Sequence, residues 1–145
     1  MKAVVQRVQK GGVTVGGKLI GHISSGLVIL LGVGLEDDRD VAQKLAQKIA
    51  RMRIFEDDQG KMNLSLLDVG GDVLVVPQFT LYADTSKGHR PSFTKAAPPD
   101  QAQPLASYFA ACLQEEGVGV QQGEFGAHML VEILNDGPVT IVLEM

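Results

Sequence analysis

Val73-Leu74-Val75-Val76-Pro77-Gln78-Phe79-Thr80-Leu81-Tyr82 begins as an apolar run and ends in polar chemistry. Four consecutive aliphatic residues, 73 to 76, read as a strand buried on both faces, because a strand with one wet face would alternate. Pro77 brings no N–H to a ladder, so pairing is expected to break or to reach a sheet edge there. An amide, an aromatic ring and a hydroxyl follow. If the strand ran on, Gln78 and Thr80 would project to one face and Phe79 to the other, setting two hydrogen-bonding side chains side by side. Spacing alone leaves two readings: a site at the end of a core strand, or a strand end whose polar groups satisfy exposed backbone.

Working outward, residues 3–8 alternate like a strand, and Val13 and Val15 stand between Gly11-Gly12 and Gly16-Gly17. That pattern suggests successive strands joined by tight glycine turns. Residues 19–23 and 27–33 extend the sheet. From Asp38 the period changes: Val41, Leu45, Ile49 and Met52 fall on one helical stripe, with Asp37 or Asp38 as the cap. Asp57-Asp58-Gln59-Gly60 marks a hairpin or sharp turn, and Gly70-Gly71 another turn before the central strand. A second helix starts near Asp100, with Leu105, Tyr108, Phe109, Cys112 and Leu113 as its stripe, Pro104 in its first turn and Gly117 as its stop. Residues 118–120, 128–134 and 139–143 are further strands. Many strands with two main helices predict a mixed α+β fold with helices on one side of the sheets.

The 145 residues suit one domain, 1–145, large enough to bury roughly two thirds of the unfolded surface. A 45% hydrophobic and 21% charged composition is that of a water-soluble globular chain, and the N-terminus has no signal-peptide pattern. The longest apolar run, residues 26–34, is too short to span a bilayer. A single cysteine, Cys112, precludes an intrachain disulfide and fits a reducing compartment, so the expected location is the cytoplasm. On the second helix's stripe, Cys112 reads as core packing. A net charge of −4 and a pI near 5.3 argue against sequence-independent grip on nucleic acid. Residues 85–95 are the exception: Lys87, His89, Arg90 and Lys95 occur there with no acidic residue, either as a solvated loop or as a local phosphate-binding patch.

Most familiar chemistries are missing. His22, His89 and His128 are scattered and lack zinc spacing with Cys112, so no metal is expected. Gly32-Val33-Gly34 lacks the third glycine of a dinucleotide fingerprint, and Glu36-Asp37-Asp38 would repel a phosphate. No cofactor is therefore expected. No histidine lies near a nucleophile motif, and Thr80 has no evident base to activate it, which leaves hydrogen bonding as its plainer role. Asn135-Asp136-Gly137-Pro138, taken alone, reads as a hairpin turn, and nothing in the spacing selects a cis or trans proline.

Together these pieces resemble the D-aminoacyl-tRNA deacylase family over essentially the whole chain. The matching segments are Gln6-Arg7-Val8, Leu30-Leu31-Gly32-Val33, Arg53-Ile54-Phe55, Gly60-Lys61-Met62-Asn63, residues 73–81, Arg90-Pro91-Ser92-Phe93, and Asn135-Asp136-Gly137-Pro138-Val139-Thr140. The resemblance implies a homodimer of three β/β/α layers that hydrolyses the ester of D-aminoacyl-tRNA, and of glycine mischarged on tRNA. It implies main-chain N–H groups of Gln78 and Phe79 as oxyanion donors and Thr80 as a positioning group. Pro77, Phe125 and Met129 would border the substrate, and Lys87 and Arg90 would meet acceptor-stem phosphates. A cis Gly137-Pro138 corner from the partner would bar L-substrates, and the activating base would be the tRNA's own 2′-hydroxyl. Pro77 departs from the family's usual serine. A related family clearing L-alanine from mischarged tRNA has proline there but alanine in place of Phe79, so the retained ring favours the D-specific reading. A non-catalytic module binding a small ligand or RNA is the other alternative.

Overall fold

The computed structural model describes residues 1–145. Its spine is β1 (Lys2–Val15), a 14-residue strand with partners on both edges. Along one edge, residues 2–8 pair with β3 (Gly26–Gly32) and residues 11–15 with β2 (Lys18–Ile23), both antiparallel. Along the other edge lies β8 (Met129–Glu144), antiparallel from Lys2↔Glu144 to Val15↔Met129. The central strand, β6 (Asp72–Pro77), joins β3 in parallel, and β7 (Gly119–Gln122) joins β6 in parallel. The result is a mixed six-stranded sheet.

Burial on both faces of residues 73–76 follows from where that sheet bends. Val73 and Val75 belong to a core of 27 buried residues, and Leu74 and Val76 to a smaller one of six that includes Val8, Val13, Ile23 and Val28. The smaller core forms because the far half of β1, with β2, lies over β3 and β6. Contact there is close enough that a Cβ on Gly11 would stand 2.6 Å from Val28 Cγ2. Gly11-Gly12 is therefore no turn: it sits inside β1, and the small side chain serves the fit between layers. Only Gly16-Gly17, at φ +56° and +80°, makes the turn into β2.

Helices cover the larger core and complete a β/β/α order. In α1 (Arg39–Ala50) the Asp38 carboxylate accepts from Val41 N at 2.9 Å, and Leu45 and Ile49 are fully buried. In α3 (Pro99–Glu115) Leu105, Phe109, Cys112 and Leu113 face inward. The helix begins at Pro99, so Pro104 is not in the first turn as the sequence predicts; it is the sixth residue, where it withholds the N–H that would reach the Asp100 carbonyl. β4 (Phe55–Glu56) and β5 (Met62–Leu64) form the expected hairpin, closed by Asp57 N donating to Lys61 O at 2.8 Å. A third helix, α2 (Leu66–Val69), has no counterpart in the sequence reading. It is one turn long, too short to carry a period, and is held by a reciprocal cap between Ser65 and Asp68.

Residues 135–138 also differ from the hairpin expectation. Both flanking stretches belong to β8 and pair with the same strand in the same direction. From Asn135, opposite Val8, to Thr140, opposite Gln6, five steps of β8 cover two of β1, an excess of three residues. The Asn-Asp-Gly-Pro chemistry makes a corner that bulges from one strand, with a cis Gly137-Pro138 peptide bond.

Candidate active site

The central strand ends one residue later than proline alone would suggest. Pro77 remains paired with Leu31, and Gln78 N donates to Leu31 O at 2.7 Å. The chain then closes into a 3-10 helix, Phe79–Tyr82, so the side-chain alternation expected past residue 77 does not occur. Gln78 and Thr80 still meet, because the turn folds Thr80 back and Gln78 Nε2 donates to Thr80 Oγ1. At the far end of the turn Tyr82 Oη donates to Asp37 Oδ2 at 3.3 Å, and burial beside that carboxylate pushes the phenol's pKa up. Gly34 makes room: a Cβ there would stand 2.6 Å from Tyr82 Oη.

This geometry divides the residues named as oxyanion donors. The main-chain N–H of Gln78 is committed to Leu31 and is not free for a substrate carbonyl, which corrects the expectation for that group. The first N–H groups of a 3-10 helix have no acceptor within it, and in this turn they belong to Phe79 and its successor.

Beside the turn opens a cleft of about 580 Å³. Pro77, Gln78, Phe79 and Phe93 line it together with Phe125, which precedes β8, and Met129, the first residue of β8, and much of the remaining wall is alanine and valine. Of the predicted substrate-contact residues, Pro77, Phe125 and Met129 therefore share one cavity with Gln78 and Phe79. Thr80 adjoins it through Gln78 but does not line it. Lys87 and Arg90 lie exposed in a loop whose base is closed by Asp84 and Ser92, 2.8 and 2.9 Å apart in two reciprocal main-chain hydrogen bonds. Gly137 and Pro138 are exposed and line no part of this chain's cleft. Apolar walls beside Phe79, whose main-chain N–H has no acceptor within the turn, suit an acyl ester whose charge develops on a carbonyl oxygen.

Two residues without a role in the sequence reading hold the β8 corner. Arg7 is 5% exposed; its Nη1 donates to Ile54 O at 2.8 Å and its Nε to Asp136 O at 3.2 Å. A charged side chain at the inward phase of an alternating strand was the available signal. Asn135 clasps the base of the bulge: its Oδ1 accepts from Val139 N at 2.9 Å and its Nδ2 donates to Thr140 Oγ1 at 3.1 Å. At Gly137, φ is +124° and an added Cβ would stand 2.8 Å from Val139 Cγ2, so the corner requires glycine.

Comparison with known proteins converges on one family. A family model described as D-Tyr-tRNA(Tyr) deacylase matches residues 4–144. The D-aminoacyl-tRNA deacylase of Roseiflexus castenholzii is 58% identical over 99% of this chain and 92% of its own length. That of Thermus aquaticus is 56% identical over 99% and 95%. A solved structure described as c-Myc DNA Unwinding Element Binding Protein is 43% identical, with a TM-score of 0.94, covering 100% of this chain and 99% of its own. A probable eukaryotic D-amino acid tRNA deacylase shares the fold at 16% identity and a TM-score of 0.82, over 99% and 98% of the two chains. The chain belongs to the D-Tyr-tRNA(Tyr) deacylase family.

Proposed function

We propose that this enzyme is a D-aminoacyl-tRNA deacylase that also releases glycine mischarged on tRNA, and that it excludes L-aminoacyl esters with the Gly137-Pro138 corner of a second copy. Water adds to the ester carbonyl, the bond to the terminal ribose oxygen breaks, and a free amino acid and a tRNA 3′-hydroxyl result. Phe79 N–H stabilises the developing oxyanion, Gln78 and Thr80 hold the turn that presents it, and the 2′-hydroxyl of the terminal ribose activates the water. Phe125, Met129 and Pro77 border the bound ester and its nucleoside. Lys87 and Arg90 meet the acceptor-stem phosphates. The work belongs in the cytoplasm, where charged tRNA is found, and no helix is long and apolar enough to cross a membrane.

The observation that carries the dimeric reading is the position of the corner. Gly137 stands on β8, whose outer edge has no strand partner, and Leu130, Leu134 and Val142 are 72%, 53% and 73% exposed along it. A long apolar edge is a template for another chain. A corner on that edge reaches a cleft only when a second copy brings one. Rejection is then steric: main-chain atoms fixed by Arg7 and Asn135 occupy the space an L side chain needs, while a D side chain or the hydrogen of glycine clears them.

Deacylation of D-Tyr-tRNA, L-Tyr-tRNA, Gly-tRNA and L-Ala-tRNA by purified protein tests the proposal. D-tyrosine and glycine are released and L-tyrosine is spared. Release of L-alanine faster than D-tyrosine would transfer the chain to the L-alanine-clearing branch, which Phe79 argues against. Release from none would leave only a binding module.

A further inference from the structure

In the segment Arg90-Pro91-Ser92-Phe93, Arg90 is the proposed phosphate contact and the aromatic residue has no part in that contact. Phe93 lies between two fixed points. Before it, Asp84 and Ser92 close the basic loop with their paired hydrogen bonds. After it, Ala96 N donates to Phe93 O at 3.0 Å and Ala97 N to Val33 O at 2.9 Å, tying the chain to the end of β3. The Phe93 backbone is thus anchored on both sides. Its ring meets the Phe79 ring at 5.1 Å between centroids and 71° between planes. Edge-to-face contact at that separation is the arrangement that ring quadrupoles favour.

Phe79 needs such a support. It is 57% exposed at the start of a 3-10 helix of four residues, and the hydrogen bonds that hold that turn, from Gln78 N to Leu31 O and from Gln78 Nε2 to Thr80 Oγ1, do not touch its ring. No other aromatic ring pairs with it, and both rings line the cleft. We infer that Phe93 is a positioning residue for hydrolysis: by holding the Phe79 ring edge-on, it fixes the Phe79 main-chain N–H against the ester carbonyl. Phe93 follows directly on the closed base of the loop that carries Lys87 and Arg90. The inference rests on the deacylase reading and on Phe79 as the donor.

The test is steady-state deacylation by wild type, Phe93→Leu, Phe93→Tyr, Phe79→Leu and the Phe79→Leu/Phe93→Leu double variant. Each is assayed with D-Tyr-tRNA and with D-tyrosine esterified to a short CCA oligonucleotide that has no acceptor stem. Phe93→Leu is expected to lower kcat about 2- to 12-fold on both substrates, the range an edge-on aromatic pair is worth, with KM within about twofold. Phe93→Tyr keeps the ring and retains kcat. The double variant falls no further than the single ones, because each removes the same contact. An active wild type whose Phe93→Leu variant keeps its kcat, or whose double variant loses the product of the two single effects, overturns the inference alone. A wild type inactive on both substrates overturns the deacylase reading and the inference with it.

Discussion

Phe79 is where one side chain and one main-chain group can be separated by mutation. Because it is the first residue of its 3-10 helix, a proline there deletes the N–H without breaking any hydrogen bond inside the turn. Phe79→Pro should lower kcat about 10²- to 10³-fold, the usual effect of losing one oxyanion donor. Phe79→Leu keeps the N–H and should fall by about tenfold at most. Equal losses in the two variants, measured as single-turnover rates on D-Tyr-tRNA, would place the function in the ring and not in the amide. Thr80 makes the complementary case. Its hydroxyl accepts from Gln78 Nε2 and meets no base, so Thr80→Ala should retain appreciable activity, and a trapped acyl-threonine intermediate would contradict that. The division of labour between neighbours was invisible in sequence: Gln78 and Phe79 look equivalent as donors until the pairing of Gln78 N with Leu31 removes one of them.

Elements were legible where burial imposes a period and illegible where local chemistry permits two outcomes. The stripes of α1 and α3 and the apolar run of β6 announce themselves because each must fill a core with a fixed spacing. Gly11-Gly12 and Asn135-Asp136-Gly137-Pro138 mislead for the same reason: glycine allows close strand packing as well as turns, and an Asn-Asp-Gly corner fits a bulge as well as a hairpin. Which outcome occurs is decided by β1, through Val28 packed over Gly11 and through the pairing of Asn135 and Thr140 either side of Arg7. Pro104 is a local conflict that the fold tolerates. It is exposed, and alanine there would restore one hydrogen bond to the Asp100 carbonyl without disturbing the core. The helix-interior penalty of roughly 3 kcal/mol is partly offset by proline's restriction of the unfolded chain, about 1 kcal/mol. Pro104→Ala should therefore stabilise the protein by roughly 2 kcal/mol in urea unfolding, and an unchanged or lower midpoint would contradict this.

For the whole molecule, the proposed exclusion of L-esters joins a cleft and a corner that lie on different surfaces of one chain. The cleft gathers residues at the end of β6, while the corner stands on β8, whose outer edge has no strand partner, and lies outside that cleft. Residue spacing within one chain does not bring them together; the unpaired edge of β8 is where a second copy would be expected to dock. The most direct measurement uses a heterodimer of two defective chains. One carries Phe79→Pro and keeps its corner. The other lacks residues 136–138, which leaves Val139 opposite Arg7 in a regular ladder and keeps the cleft intact. Alone, the first should be nearly inactive, and the second should hydrolyse D- and L-Tyr-tRNA alike. Mixed, the corner of the first chain completes the cleft of the second. The heterodimer should hydrolyse D-Tyr-tRNA and spare L-Tyr-tRNA; one that hydrolyses L-Tyr-tRNA as readily as the deletion homodimer would refute exclusion by the partner's corner.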